Sequence, residues 1–86
     1  MIQVQYQIKD KTGFHVRAAG RINKLAKEFS GNSITISAND NSAEATKLMR
    51  LMSINAKQGD TLVATINGPD EHTLVLNINH IFESYL

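Results

Sequence analysis

From Ile2 to Ile8 the chain alternates without a break, with Ile2, Val4, Tyr6 and Ile8 on one side and Gln3, Gln5 and Gln7 on the other. A period of two is that of an extended strand, whose successive side chains point to opposite faces. One face needs burial and the other tolerates water, so this strand has a single buried side. Helices packed on one face of a mostly antiparallel sheet satisfy that requirement, which sets the expected class as α+β.

The remaining segments supply the sheet and its cover. From Val16 to Phe29 the apolar positions Ala18, Ile22, Leu25, Ala26 and Phe29 recur at spacings that mark one face of a helix. Ser30-Gly31-Asn32-Ser33 stops it and opens a turn. Ile34 to Ser37 reads as a second strand, Asn39-Asp40-Asn41 as a hairpin turn, and Ser42 to Ala45 as a short third strand. Lys47 to Ile54 reads as a short helix carrying more apolar residues than one buried stripe requires. After the loop Ala56 to Asp60, Thr61 to Ile66 reads as a fourth strand. Gly68-Pro69-Asp70-Glu71 opens a last helix, with proline expected in its first turn and acids suited to its dipole. Leu74, Ile78, Ile81, Phe82 and Tyr85 form its stripe. The order is β-α-β-β-α-β-α, with no repeat or linker, and residues 1–86 read as a single domain.

Composition closes off several functions. An apolar fraction of 42% is enough for one modest core in 86 residues, and a net charge of only +1 argues against bulk nucleic-acid binding. Cysteine is absent, which excludes disulfides and thiolate metal sites. The alternating N-terminus is not a signal peptide, and no apolar stretch approaches the roughly 20 residues of a membrane span. A cytoplasmic protein is expected.

The chemistry concentrates at Gly13-Phe14-His15-Val16-Arg17-Ala18-Ala19. If the helix starts at Val16, His15 stands near its N-cap, beside the unpaired N–H groups of Val16 and Arg17. A helix N-terminus is an anion site, and an imidazole is a nucleophile able to accept a phosphoryl group. Arg17 is close enough in sequence to reach phosphoryl oxygens with a bidentate fork. Read alone, a histidine at a helix start is as a rule a solvated or capping side chain. His72 and His80 are eight residues apart with no third ligand in view, so they read as surface residues and no metal site is expected.

Charge is patterned despite the small net value. Arg17, Arg21 and Lys24 share one side of the first helix, and Lys47, Arg50 and Lys57 lie on and after the short one. Such charges commonly form a solvated face. The functional reading is a basic, partly apolar docking surface for an acidic protein partner. In Leu48-Met49-Arg50-Leu51-Met52, two or three apolar residues are expected in the core and one or two outside, where exposed methionine suits several partners.

These residues resemble a known family: HPr, the histidine-containing phosphocarrier of the bacterial phosphoenolpyruvate-dependent sugar phosphotransferase system. The family's site motif is glycine, aliphatic, histidine, any, arginine, proline, alanine, and it stands here as Gly13 to Ala19. Lys47 to Ser53 followed by Gln58-Gly59 is a second matching stretch, and element order and length agree over the whole chain. The resemblance implies an open-faced β-sandwich, a four-stranded antiparallel sheet covered on one face by three helices. It implies that His15 accepts phosphate through Nδ1 from enzyme I and passes it to the IIA domain of a sugar permease, while Arg17 steadies the phosphoryl group. It implies docking through the first two helices, at Arg21, Lys24, Lys47, Leu48, Met49, Arg50, Leu51 and Met52. No cofactor and no membrane insertion are expected, and a monomer is the default for a transient carrier, because a permanent interface over His15 would block its partners.

Three departures stand out. Ala18 replaces the family's proline; alanine keeps the helix but changes how its start is held, so phosphoryl transfer is expected to be tuned differently. Lys47 stands where many members carry a regulatory serine, so the resemblance does not carry serine-kinase control over to this chain. Ser30 to Ser33 is one residue longer than usual, which is expected only to lengthen a turn. The competing readings are a docking module without a phosphorelay, and a small phosphatase. The phosphatase needs a base beside the phosphate, and the sequence places no acid next to His15.

Overall fold

A computed structural model describes residues 1–86. The elements are β1 (Ile2–Gln7), α1 (Val16–Glu28), β2 (Ser33–Ala38), β3 (Asn41–Glu44), α2 (Leu48–Met52), β4 (Thr61–Asn67) and α3 (Glu71–Tyr85). The strands form one antiparallel sheet in the order β1-β4-β2-β3. Each β-α-β crossover skips one strand: β4 lies between β1 and β2, and β2 between β3 and β4. This is the α+β architecture expected, four strands and three helices in the order β-α-β-β-α-β-α.

Register explains why one face is apolar. Ile2, Ile66 and Ile34 line up across three strands, as do Val4, Ala64 and Ile36. Leu62, Ala64, Ile66, Ile34 and Ile36 are buried beneath the helices. The opposite face carries Gln3, Gln5, Thr65 and Thr35, with Gln3 donating to the Thr65 hydroxyl at 3.4 Å. Ala18, Ile22, Leu25 and Ala26 of α1 and Leu74, Ile78 and Phe82 of α3 fill the core from above. Tyr6 closes its margin, its ring 5.4 Å from that of Phe82.

The turns follow local chemistry. Asn39 and Asp40 take positive φ (51° and 68°), the backbone of a two-residue hairpin whose twist matches its strands. Asn41, expected in this turn, is instead the first residue of β3. The short helix is tighter than its apolar run suggests. Lys47 is its N-cap and Ser53 its C-cap, where the Ser53 N–H and hydroxyl both donate to the Arg50 carbonyl.

Two expectations are corrected. Pro69 lies outside α3 rather than in its first turn. The Glu71 N–H returns to the Gly68 carbonyl in a separate turn, and the first helical acceptor is the Asp70 carbonyl, taken by Leu74. The Ser30 to Ser33 segment does more than lengthen a turn. Asn32 donates from Nδ2 to the Phe29 carbonyl and to the Asp70 carboxylate, and its Oδ1 accepts the Asp70 N–H at 2.9 Å. It thereby ties the end of α1 to the start of α3.

Candidate functional site

The loop before α1 is fixed from both sides. The N–H groups of Lys9 and Asp10 both donate to the Leu86 main-chain oxygen, at 2.6 and 2.7 Å. Asp10 then caps the turn, accepting the N–H and hydroxyl of Thr12 on Oδ1 and the N–H of Gly13 on its carbonyl. Those Thr12 bonds, the hydroxyl foremost, hold the Asp10 carboxyl below its ordinary pKa, against the raising effect of burial. Its Oδ1 is committed to Thr12. Phe14 is buried and donates its N–H to the Ala56 carbonyl at 2.9 Å.

His15 emerges from this anchor as the N-cap of α1, in extended conformation (φ −104°, ψ 171°). Its carbonyl accepts the Ala19 N–H at 3.0 Å, the first helical hydrogen bond. The half-buried ring is held at both nitrogens. Nε2 lies 3.0 Å from the Tyr85 carbonyl, which only accepts, so the proton belongs to Nε2. Nδ1 then carries the lone pair, and it accepts the Ala18 N–H in a long 3.4 Å bond. The N–H groups of Val16 and Arg17, the expected anion donors, donate to no protein group. A nucleophilic nitrogen thus faces two free donors at the positive end of a 13-residue helix.

The flanking cations gather on one side chain. The guanidinium carbon of Arg17 lies 5.4 Å from the Tyr85 ring centroid, and that of Arg21 lies 5.8 Å from it. Arg21 also donates from Nε to the Tyr85 hydroxyl at 3.0 Å. Neither arginine pairs with a carboxylate. Tyr85, read from the sequence only as part of an apolar stripe, meets His15 across 70 residues of chain. No local signal announces such a contact.

The expected docking residues divide. Arg21 and Lys24 are exposed on α1, as are Lys47 and Arg50 at α2. Met49 is 83% exposed and Met52 49%, while Leu48 is half-buried against the core. Leu51 is a correction. It is fully buried, because α2 turns this one side inward, so it cannot touch a partner. His72 and His80 are both exposed on α3. Asn23, not singled out in the sequence, is buried and donates to the Ala45 carbonyl at 3.0 Å, joining α1 to the approach of α2.

Comparison with known proteins agrees with this geometry. The family model described as the PTS HPr component phosphorylation site matches residues 2–84. The phosphocarrier protein HPr of Borreliella burgdorferi is 32% identical over 85 residues, which is 99% of this chain and 98% of that protein. The structure of HPr-C-His from Thermoanaerobacter tengcongensis superposes with a TM-score of 0.85 at 30% identity, covering 98% of this chain and 93% of its own. An HPr dimer from the same organism superposes with a TM-score of 0.71, also at 30% identity, covering 98% and 95%.

Proposed function

Since the chain belongs to the HPr family of phosphocarrier components of the phosphotransferase system, we propose that His15 is its phosphoacceptor, charged by phosphorylated enzyme I and discharged to the IIA domain of a sugar permease. The observation that carries this is the pair of contacts on one ring: Nε2 held by the Tyr85 carbonyl, and Nδ1 turned to the N-terminus of α1.

The chemistry follows from those contacts. The Nδ1 lone pair attacks phosphorus, an N–P bond forms, and the bond to the donor breaks. The ring keeps its Nε2 proton and so becomes cationic, which strengthens the hydrogen bond to the Tyr85 carbonyl. The phosphoryl oxygens displace the Ala18 N–H from Nδ1 and take up the free N–H groups of Val16 and Arg17. The Arg17 guanidinium adds a fork of charged donors. Discharge is the reverse on an acceptor. The protein is a carrier and not a catalyst.

Docking is assigned to the exposed cations Arg21, Lys24, Lys47 and Arg50 around Met49, Met52 and the edge of Leu48. That surface is basic with an apolar centre, suited to an acidic partner. No helix is long and apolar enough to cross a membrane. We assign the carrier to the cytoplasm, as a monomer, because a permanent interface over His15 would shut out its partners.

The decisive experiment incubates the protein with phosphoenolpyruvate and enzyme I and measures acid-labile phosphate by intact mass. The expected result is one phosphoryl group on the parent chain and none on His15→Ala. A gain that persists in His15→Ala removes the site assignment. No gain, with a working control HPr, leaves the docking module as the reading, and enzyme I binding that weakens with salt is then its signature.

A further inference from the structure

The Tyr85 side chain holds two arginines that nothing else in the structure would fix. Arg17 and Arg21 occupy exposed positions of α1, and no carboxylate lies within ion-pair distance of either. Long side chains so placed ordinarily keep their rotamer freedom. Here both guanidiniums lie within 6 Å of one ring centroid. Two like charges on one ring, beside a helix N-terminus that is itself positive, repel one another. The negative face of the aromatic ring and the phenolic oxygen offset that repulsion.

The manner of holding matters. A carboxylate partner would consume the N–H fork of an arginine. A ring face uses no N–H at all, and Arg17 makes no side-chain hydrogen bond. Arg21 spends only its Nε–H on the hydroxyl, leaving its terminal nitrogens unused. Both cations are therefore placed while their donors stay available, and the same residue's carbonyl fixes the His15 tautomer.

We propose that Tyr85 is a positioning residue for phosphoryl transfer at His15, its ring face holding Arg17 and Arg21 as a preformed cationic pair for the phosphoryl dianion. This rests on the phosphocarrier reading above. Ordering the pair in advance lowers the entropic cost of engaging the phosphoryl group, so the gain falls on the transfer step rather than on partner binding.

The test compares full-length Tyr85→Phe and Tyr85→Leu with the parent. Leucine keeps apolar bulk against the core but has no ring face. Phenylalanine keeps the ring and loses the hydroxyl. Proton–nitrogen NMR of the arginine Nε–Hε groups reads the platform without phosphate. The parent is expected to show ring-current displacement of both signals and slowed exchange at Arg21. Tyr85→Phe keeps the displacement and loses the slowed exchange; Tyr85→Leu takes both to the values of free arginine. In transfer from phosphorylated enzyme I, Tyr85→Leu is expected to lose about fivefold in kcat/KM, mainly in kcat, with Tyr85→Phe within about twofold of the parent. Free-arginine signals in the parent, transfer by Tyr85→Leu at the parental rate, or an equal loss in both variants overturns the role of Tyr85. A parent chain that takes no phosphoryl group overturns the carrier reading itself, and the proposal with it.

Discussion

The Ala56 carbonyl occupies the space that a Cβ on Gly13 would need. Gly13 has φ +72°, a conformation strained for any L side chain, and such a Cβ would also come within 2.9 Å of the Lys57 Cα. The same carbonyl accepts the Phe14 N–H, so it cannot retreat freely. Gly13→Ala is therefore expected to cost about 2–4 kcal/mol, read as a lower urea midpoint. Gly20, inside α1 with open space around it, is the control. Gly20→Ala is expected to stabilise by about 0.5–1 kcal/mol through helix propensity.

Ala18 is tested by restoring proline. Its N–H makes only the long bond to Nδ1, and its place in the first turn of α1 leaves it outside the helical ladder. Ala18→Pro removes that bond and should leave stability within about 1 kcal/mol. Nδ1 is then free before attack. Losing a bond worth about 0.5–1 kcal/mol predicts two- to fivefold faster acceptance from enzyme I, measured by rapid quench. An unchanged rate would show that the Ala18 N–H does not compete for the nucleophile.

Asp60 links folding to pH. Its Oδ2 accepts the Lys57 N–H and the Asn39 amide, both at 2.8 Å, tying the β2–β3 hairpin to the loop before β4. The Lys57 backbone bond first, then Asn39, holds this carboxyl below its ordinary pKa, against the raising effect of burial. A depressed folded-state pKa contributes stability above the unfolded pKa and loses it as pH falls through the folded one. The urea midpoint should therefore decline as pH falls below the ordinary carboxylate range. In Asp60→Asn the decline should be shallower, and the midpoint at neutral pH lower. Equal pH slopes would count against Asp60 as a contributor.

Neighbouring apolar residues of α2 should separate binding from stability. Leu51 is fully buried, so Leu51→Ala is expected to cost about 2–5 kcal/mol in thermal or urea unfolding. Met49 is exposed, so Met49→Asp should change stability by less than about 0.5 kcal/mol. An acid there opposes an acidic partner, and enzyme I affinity measured by calorimetry should fall about tenfold. Equal affinity would place the docking surface elsewhere.

Most of the fold was legible because its signals are local. Alternation from Ile2 to Gln7 and the stripe from Ala18 to Ala26 each lie within one element, and their periods state which face is buried. Pro69 misled because the Asn32 contact, from the far side of the chain, shifts where α3 begins. The site divides in the same way. His15 and the free N–H groups of Val16 and Arg17 lie within one helical turn and could be read from spacing. Tyr85 and Ala56 reach the site only through tertiary packing, which no period encodes. Leu51 shows the limit within one element: α2 is only five residues long, too short for periodicity to say which side faces in.

The strand order has a consequence in time. β4 is the last strand in the chain, yet it sits between β1 and β2 and pairs with both. During synthesis the first half of the protein therefore has α1 and the β2–β3 hairpin but nothing to join β1 to them, since β1 has no neighbour until Thr61–Asn67 arrives. Such long-range closure slows folding relative to local contacts. The carbonyl that orients His15 comes later still, eighteen residues beyond the end of β4. A fragment that stops short of Tyr85 thus carries the histidine without the carbonyl that sets its ring.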